Sequence, residues 1–231
     1  MIEKVDTILW DIDGTLLDFT KSERFAIKEC FSHFGLGPCG EDLLQEYSAI
    51  NTRYWTMLEK GELTKPEVLH GRFEEFFSNH GIDTSIIDEF NHYYQGVLGE
   101  NPYFHDGAKE TVTALKGRYR QYIVTNGTLR TQKIKIEKTG FGDIFDGVFI
   151  SDEIGYEKPS REFFECVEKS IGVKDPKEVM IIGDSLYSDI KGGAEAGYVT
   201  CWFNCLEKER KIKTRIDLEI RSIPEILDIL L

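Results

Sequence analysis

Four short apolar runs rich in Val and Ile punctuate the chain, and each is too short to form a helix. They cover residues 5–10, 122–125, 148–150 and 179–182. A run that is apolar at nearly every position is typical of a parallel strand buried on both faces. A fifth run at 198–203 predicts one more strand, and residues 223–231 predict a closing helix.

Helix-length segments separate these runs. Asp106 precedes one such segment at 108–115, and residues 175–178 (Asp-Pro-Lys-Glu) place a proline at the first position of another helix. Strands that alternate with helices predict an α/β fold, a Rossmann-like core with a doubly wound parallel sheet.

The stretch between the first two runs breaks this alternation. It has a capping box at residues 64–67 and the helical spacing of Phe73, Phe76 and Phe77, but no convincing strand. We therefore expect an all-helical cap domain at 19–100 inserted into a catalytic core formed by 1–18 and 101–231. The joins at 16–20 and 99–107 are turn-rich and predict hinges.

Composition and charge exclude several classes of partner. The chain has 231 residues, of which 41% are hydrophobic and 30% charged, and its formal charge of -13 argues against binding to a nucleic acid polymer. No run approaches the length of a membrane span, and the first residues do not resemble a signal peptide. The five scattered cysteines favour reduced thiols. We expect a cytoplasmic monomer or homodimer with no membrane partner.

Polar motifs follow the apolar runs, at the edge where open α/β sheets bind ligands. They are Asp11-Ile12-Asp13-Gly14-Thr15, Thr125-Asn126-Gly127, Lys158-Pro159, and Gly183-Asp184 with Asp189. Each motif taken alone has a plainer interpretation. Thr125-Asn126-Gly127 could be a turn, Lys158 a surface lysine, and Asp189 a helix residue paired with Lys191.

The carboxylates predict a metal. Asp11 and Asp13 are two residues apart, which in an extended segment directs both side chains to the same side. At about 4 Å, two like charges repel by about 4 kcal/mol at an effective dielectric near 20. Asp184 and Asp189 add further negative charge, so the site requires a divalent cation. Because all these ligands are oxygens, Mg²⁺ is the expected cofactor.

An anion clamp is predicted beside the metal. Thr125 offers a hydroxyl, Asn126 and Gly127 offer backbone N–H groups, and Lys158 offers a full positive charge. An anion clamp next to Mg²⁺ suits phosphoryl transfer, for which a carboxylate nucleophile is also available.

In order and spacing, the four motifs resemble those of the haloacid dehalogenase-like (HAD) phosphohydrolases. The resemblance implies that Asp11 is the nucleophile and that Asp13 protonates the leaving oxygen and then activates water. It also implies that Thr125 and Lys158 hold the phosphoryl oxygens. The insert resembles the cap domain of that family.

The same resemblance implies a ligand set for Mg²⁺. Asp11, the main-chain carbonyl of Asp13 and Asp184 would bind the ion, and Asp189 would support them.

Within the family, the chain resembles the bacterial YjjG-type pyrimidine 5'-nucleotidases. The matching pieces are Asn51, Trp55, Gly61, residues 70–74, Thr200-Cys201-Trp202 and Asn204. This resemblance implies an Mg²⁺-dependent phosphomonoesterase whose small-molecule substrate is a nucleoside 5'-monophosphate, with a pyrimidine preference. Tyr54 and Trp55 could stack on the base. The plainer interpretation is that Trp55 and Phe73 are packing residues and that Arg72 forms a surface ion pair.

Three other functions remain open from the sequence. A phosphatase acting on phosphoglycolate or a sugar phosphate would differ only in its cap contacts. A 2-haloacid dehalogenase attacks carbon and needs neither Mg²⁺ nor an acid for an alkoxide, so Asp13 argues against it. A binding module that kept the fold would be favoured by the loss of a catalytic carboxylate, and the chain has lost none.

Overall fold

A parallel sheet forms the centre of the molecule in the computed structural model, which describes residues 4–231. Over these residues the sheet has six strands in the order β3-β2-β1-β4-β5-β6. The strands are β1 (Thr7–Trp10), β2 (Arg120–Thr125), β3 (Gly147–Ile150), β4 (Val179–Gly183), β5 (Val199–Phe203) and β6 (Leu218–Ile220). All the pairings between neighbours are parallel, which confirms the predicted α/β class.

Helices cover the sheet and form the insert. They are α1 (Phe19–His33), α2 (Glu41–Glu59), α3 (Lys65–His80), α4 (Ile87–Glu100), α5 (Ala108–Leu115), α6 (Leu129–Thr139), α7 (Ser151–Ile154), α8 (Arg161–Ile171), α9 (Gly192–Ala196) and α10 (Glu225–Leu230). A π-helical segment, Leu186–Lys191, precedes α9.

The central strands bury both faces. In β1, Ile8 and Trp10 join the apolar layer that includes α5 and α10, whereas Leu9 joins the opposite layer with α8. The alternation of side chains along a strand explains this division, and it explains why the strand is apolar at every position.

Three local predictions differ from the structure. Strand β6 was not predicted, because it has only three residues and places Glu219 between Leu218 and Ile220. The helix expected after Asp175 is a single 3-10 turn, Pro176–Glu178, because the chain enters β4 immediately afterwards. The closing helix begins at Glu225, two residues later than predicted.

Between β1 and β2, helices α1 to α4 pack around an apolar cluster of their own. The predicted capping box starts α3, where the Glu67 carboxylate accepts from the Thr64 backbone N–H at 2.7 Å. Phe73, Phe76 and Phe77 are fully buried in this cluster. The aromatic spacing therefore predicted the interior face of α3.

The two chain segments that join the insert to the sheet lie side by side. Leu17 and Phe104 form a β-bridge, and the Asp18 N–H donates to the Tyr103 carbonyl at 2.8 Å. Gly99 belongs to α4, and a Cβ there would lie 2.9 Å from Ile134 Cβ. Gly99 therefore lets α4 and α6 pack closely. Gly107 has a φ of +72° and precedes α5.

The insert also contacts the sheet layer through polar side chains. Ser185 Oγ donates to Glu59 Oε1 at 2.7 Å. The buried Lys65 ammonium donates to Ser151 Oγ at 2.6 Å and pairs with Asp152. These contacts close the insert over the carboxyl edge of the sheet. Among the described helices, none has the length and apolarity that a membrane crossing requires.

Candidate active site

Asp11 lies immediately after β1, at the centre of the carboxyl edge of the sheet. It is 8% exposed. One carboxylate oxygen, Oδ1, accepts from Lys158 Nζ at 2.9 Å, and the other, Oδ2, accepts from the Thr15 hydroxyl at 2.9 Å. These donors hold the carboxylate in one orientation facing the cavity that it lines.

Lys158 links three strand ends. Its ammonium donates to Asp11, to Asp189 Oδ1 at 2.6 Å and to the Val124 carbonyl at 2.9 Å. The side chain of Asn126 fixes the Lys158 backbone by two reciprocal hydrogen bonds of 2.8 Å. The sequence motifs predicted that these residues meet, but they gave Asn126 only a backbone role.

Asp184 follows β4, and hydrogen bonds to its backbone groups fix its position. Its N–H donates to Thr15 Oγ1 at 3.1 Å, and its carbonyl accepts from Trp202 Nε1 at 3.0 Å. A Cβ on Gly14, which has a φ of +93°, would lie 2.8 Å from Asp184 Oδ1. Glycine at position 14 therefore lets the two acidic loops approach each other.

The carboxylates fit a hard cation. One oxygen each from Asp11, Asp184 and Asp189 lies within 4.8 Å of the others. The Asp189 oxygens already accept from Lys158 and, at 3.1 Å, from the Ser185 N–H. The Asp11 and Asp184 side chains are 11% and 27% exposed, against 1% for Asp189, so Asp11 and Asp184 are better placed to bind an ion from the cavity, with Asp189 as support. An all-oxygen donor set matches Mg²⁺.

Burial and mutual repulsion alter the protonation of these groups. Burial, followed by the neighbouring Asp189 and Asp13, raises the pKa of Asp11 to about 7 against the opposing effect of Lys158. Burial likewise raises the pKa of both Asp184 and Asp189 to about 6. Burial alone would lower the pKa of Lys158, but Asp11 and Asp189 raise it above its usual value. The cluster holds an excess of negative charge that a divalent ion would offset.

The predicted anion clamp follows β2. Thr125 and Gly127 line the same cavity as Asp11. The Gly127 N–H donates to Thr125 Oγ1 at 3.0 Å, which folds the loop tightly against the strand end. The structure therefore brings Thr125, Asn126, Gly127 and Lys158 together beside the carboxylates.

Two α6 residues that the sequence interpretation missed hold Asp13. Gln132 Nε2 donates to Asp13 Oδ2 at 2.7 Å, and the Lys135 ammonium pairs with Oδ1. Both α6 side chains are 1% exposed. Their i, i+3 spacing was a signal that they share a helix face. A buried lysine, however, is rarely anticipated from sequence, because lysine is usually exposed.

The cavity above these residues has a volume of about 800 Å³. Its inner end is formed by the strand-end motifs. Its outer end is formed by α2, which contributes Trp55 and Glu59 among others, and by the loop 204–217. Lys60, Lys208 and Lys211 also line this outer part.

Three of the residues predicted to contact substrate from the cap, Tyr54, Phe73 and Arg72, do not line the cavity. Trp55 lines the cavity, but the neighbouring Tyr54 does not, and its hydroxyl donates to Glu75 at 3.1 Å. Phe73 is an interior residue of the insert, stacked on Tyr47. Arg72 is 1% exposed and does not line the cavity. It donates at 2.7 Å to Oδ1 of Asn51, which does line the cavity, so Arg72 can affect the cavity only through Asn51.

Known proteins share this organisation. A model of the haloacid dehalogenase-like hydrolase family matches residues 5–197. The chain is 33% identical to the HAD hydrolase YfnB of Bacillus subtilis, over 99% of this chain and 97% of YfnB. A magnesium-bound crystal structure of YfnB, which reveals interdomain movement in that protein, superposes with a TM-score of 0.92 over 98% of both chains.

Two nucleotidases are also similar. The pyrimidine 5'-nucleotidase YjjG of Escherichia coli is 31% identical, over 90% of this chain and 89% of its own length. The pyrimidine 5'-nucleotidase PynA of Streptococcus pneumoniae is 30% identical, over 96% of this chain and 94% of its own length.

Proposed function

Because the chain belongs to the haloacid dehalogenase-like hydrolase family, we propose that it is an Mg²⁺-dependent phosphomonoesterase acting on nucleoside 5'-monophosphates, with a pyrimidine preference. The family and the phosphatase class were predicted from the motifs, and both are confirmed by the relatives. The cofactor, the substrate and the role of each residue are our proposal.

One observation carries the chemistry. Asp11 stands at the inner end of the cavity, with the Lys158 ammonium 2.9 Å from its carboxylate and two more carboxylates within metal-binding distance. A nucleophile, a cation for the phosphoryl group and a metal site thus meet at one point. Phosphoryl transfer depends mainly on such positioning and charge neutralisation.

The proposed reaction has two steps. An Asp11 oxygen attacks phosphorus, and the bond from phosphorus to the leaving oxygen breaks as Asp13 gives that oxygen a proton. Asp13 then takes a proton from water, which attacks the aspartyl phosphate and releases inorganic phosphate and free Asp11. Thr125 and Lys158, with the Asn126 and Gly127 N–H groups, hold the phosphoryl oxygens.

The proposed ligands of Mg²⁺ are Asp11, the Asp13 main-chain carbonyl and Asp184, supported by Asp189. When bound, the ion neutralises charge on the carboxylates and the phosphoryl oxygens. This role agrees with the oxygen-only donor set and with the raised pKa values of Asp11 and Asp184.

Substrate choice is assigned to the insert, residues 19–100, acting as a cap on the core formed by 1–18 and 101–231. The strand-end motifs reach only the phosphoryl group, so another surface must recognise the leaving group. Trp55 on α2 offers an aromatic face for a base, and the Glu59 carboxylate lies deeper, next to Ser185. The similarity to YjjG and PynA supports the pyrimidine preference.

A second candidate substrate is favoured by the lysines of the outer cavity. Lys60, Lys208 and Lys211 line it in a protein whose formal charge is -13, beside Glu59 and Glu209, and the Lys208 ammonium also lies 3.5 Å from Asp184 Oδ2. A leaving group with its own negative charge, as in phosphoglycolate, would complement them.

A panel of phosphomonoesters tests the proposal. We expect phosphate release in the presence of Mg²⁺ to be fastest with pyrimidine nucleoside 5'-monophosphates, slower with purine nucleotides, and slower still with phosphoglycolate or sugar phosphates. A preference for phosphoglycolate over every nucleotide would select the second candidate. Failure to hydrolyse any member would contradict the phosphomonoesterase assignment.

A further inference from the structure

The residues that grip Asp13 have no role in the reaction proposed above. Gln132 and Lys135 approach it from one face of α6, one on each carboxylate oxygen. We propose that Gln132 and Lys135 are positioning residues that hold the Asp13 carboxyl group in line with the leaving oxygen. This inference rests on the function proposed above.

The burial of Lys135 supports a role beyond stability. Its side chain is 1% exposed, whereas that of its partner Asp13 is 21% exposed and reaches the cavity. Placing an ammonium group in the interior requires desolvation, and buried ion pairs are often no more stabilising than apolar side chains of similar size. What the pair provides is a fixed orientation for a carboxylate that stands at the edge of the cavity.

The backbone of the phosphate clamp is shaped for the same contact. A Cβ on Gly127 would lie 1.9 Å from Gln132 Nε2 and 2.7 Å from its Cδ. Any other residue at position 127 would push the Gln132 amide out of its path to Asp13. The glycine in the Thr125-Asn126-Gly127 motif therefore serves Asp13 as well as the phosphate.

Helix α6 in turn is tied to the insert. Thr131 Oγ1 and Thr128 Oγ1 donate to Gln95 Oε1 on α4, at 2.6 and 2.9 Å. The Lys135 ammonium lies 5.6 Å from the ring centroid of Phe19, the first residue of α1. The helix that orients Asp13 is thus the one on which the cap rests, so correct docking of the insert and correct placement of Asp13 depend on the same element.

The chemistry of the leaving group separates positioning from general damage. Proton donation matters for a nucleotide, because its nucleoside would otherwise leave as an alkoxide, and hardly at all for p-nitrophenyl phosphate, whose phenolate leaves without a proton. Both substrates share the nucleophile, the clamp and the metal site. The ratio of their kcat/KM values, which report the steps up to phosphoryl transfer, therefore measures the placement of Asp13.

The experiment compares Lys135→Met with the wild-type chain on UMP and p-nitrophenyl phosphate in the presence of Mg²⁺. We expect kcat/KM for UMP to fall by about a hundredfold, the size of effect that a displacement of about 1 Å can have. For p-nitrophenyl phosphate we expect a loss smaller than about threefold. Lys135→Arg should recover most of the UMP activity, because it restores a buried cation.

Two further variants complete the test. Lys133→Met is the matched control, because Lys133 lies on the same helix but pairs with Glu153 at the surface, and it should leave both rates unchanged. Gln132→Leu, a neutral change of similar volume, should lower kcat/KM for UMP selectively by about tenfold. If Lys135→Met is too unstable to be assayed, the Gln132→Leu variant alone tests the positioning role.

Equal losses on the two substrates, or no loss on UMP, would overturn this inference while leaving the proposed function in place. A wild-type chain that hydrolyses neither substrate would overturn the proposed function and this inference with it.

Discussion

The two ends of the cavity are built in different ways. At the inner end, Asp11, Lys158 and Asp189 are buried, and both carboxylates accept hydrogen bonds from the Lys158 ammonium; the three residues come from the segments that follow β1, β3 and β4. At the outer end, half-buried and exposed side chains come from α2 and from the loop 204–217, which the sheet does not hold in register. The inner end is a buried, hydrogen-bonded chemical site. Glu59 and Lys208 of the outer end contact it through Ser185 and Asp184, whereas Trp55 lines the outer end without a hydrogen bond to it, so we expect that Trp55 can be altered without disturbing the inner end. Specificity and catalysis should therefore respond separately to mutation.

The largest expected effect comes from breaking the inner end. Asp11→Asn keeps the shape of the side chain but removes the attacking charge, so kcat should fall by several orders of magnitude on every substrate. Steady-state phosphate release measures the loss, and the melting temperature shows whether the variant is folded. A kcat near the wild-type value would disprove the nucleophile assignment.

Removing the metal should be almost as damaging, and it should be reversible. After dialysis against EDTA we expect no measurable turnover, because the Asp11 and Asp184 carboxylates would repel each other and the substrate phosphate. Added Mg²⁺ should restore the rate, whereas Ca²⁺ should be a poor substitute because its looser coordination would misplace the nucleophile. Full activity in excess EDTA would rule out the metal site.

Altering the outer end should affect the hydrolysis of some substrates and not of others. Trp55→Ala should lower kcat/KM for a pyrimidine nucleotide by about tenfold or more, as stacking on a base is worth about 1 to 3 kcal/mol. Hydrolysis of p-nitrophenyl phosphate should stay nearly unchanged. Tyr54→Phe is the matched control, since its hydroxyl contacts Glu75 and the residue does not line the cavity. Equal losses of both activities in Trp55→Ala would make Trp55 a packing residue.

The smallest effect concerns stability in the absence of metal. Asp11, with a pKa raised by burial to about 7, and Asp184 and Asp189, with values raised to about 6, start from an ordinary value of 3.8. At these three sites the folded protein therefore binds more protons than the unfolded chain between about pH 4 and 7, so their contribution to stability falls as the pH rises toward about 7.

In EDTA, the melting temperature should accordingly drop by a few degrees between pH 5.5 and 8. Mg²⁺ should raise it more at pH 8 than at pH 5.5, because the ligands must be ionised to bind the ion. Scanning calorimetry at the two pH values, with and without Mg²⁺, measures both effects. A melting temperature that rises with pH in EDTA would contradict the charge balance described for the site.

What could be predicted from the sequence follows the same division. Strand-end residues were placed correctly because an apolar run fixes a parallel strand, and the register of the sheet then brings the residues after each run together. β6 escaped prediction because three residues carry too little pattern. The partners of Asp13 escaped because they belong to a helix face, and contacts between a helix and a loop depend on packing that periodicity does not encode.

The same limit applies to the insert. The capping box and the aromatic spacing predicted α3 and its buried face, but they could not show that Tyr54 points away from the cavity while Trp55 lines it. Arg72 illustrates the point again, because its role as a partner of Asn51 depends on how α2 and α3 pack. In each case the sequence predicts the element, and the structure decides which neighbour a side chain meets.

The paired joins of the insert have a consequence for how such proteins diversify. The chain leaves the sheet layer at Leu17 and returns at Phe104, and these two residues form a β-bridge, so the insert begins and ends at nearly the same place. A segment with adjacent ends can be lengthened, shortened or exchanged without moving the strands that it interrupts. The core can thus accept different inserts between the same two positions. Transplanting a foreign helical cap between these two positions would be a direct way to give the same hydrolytic site a new substrate.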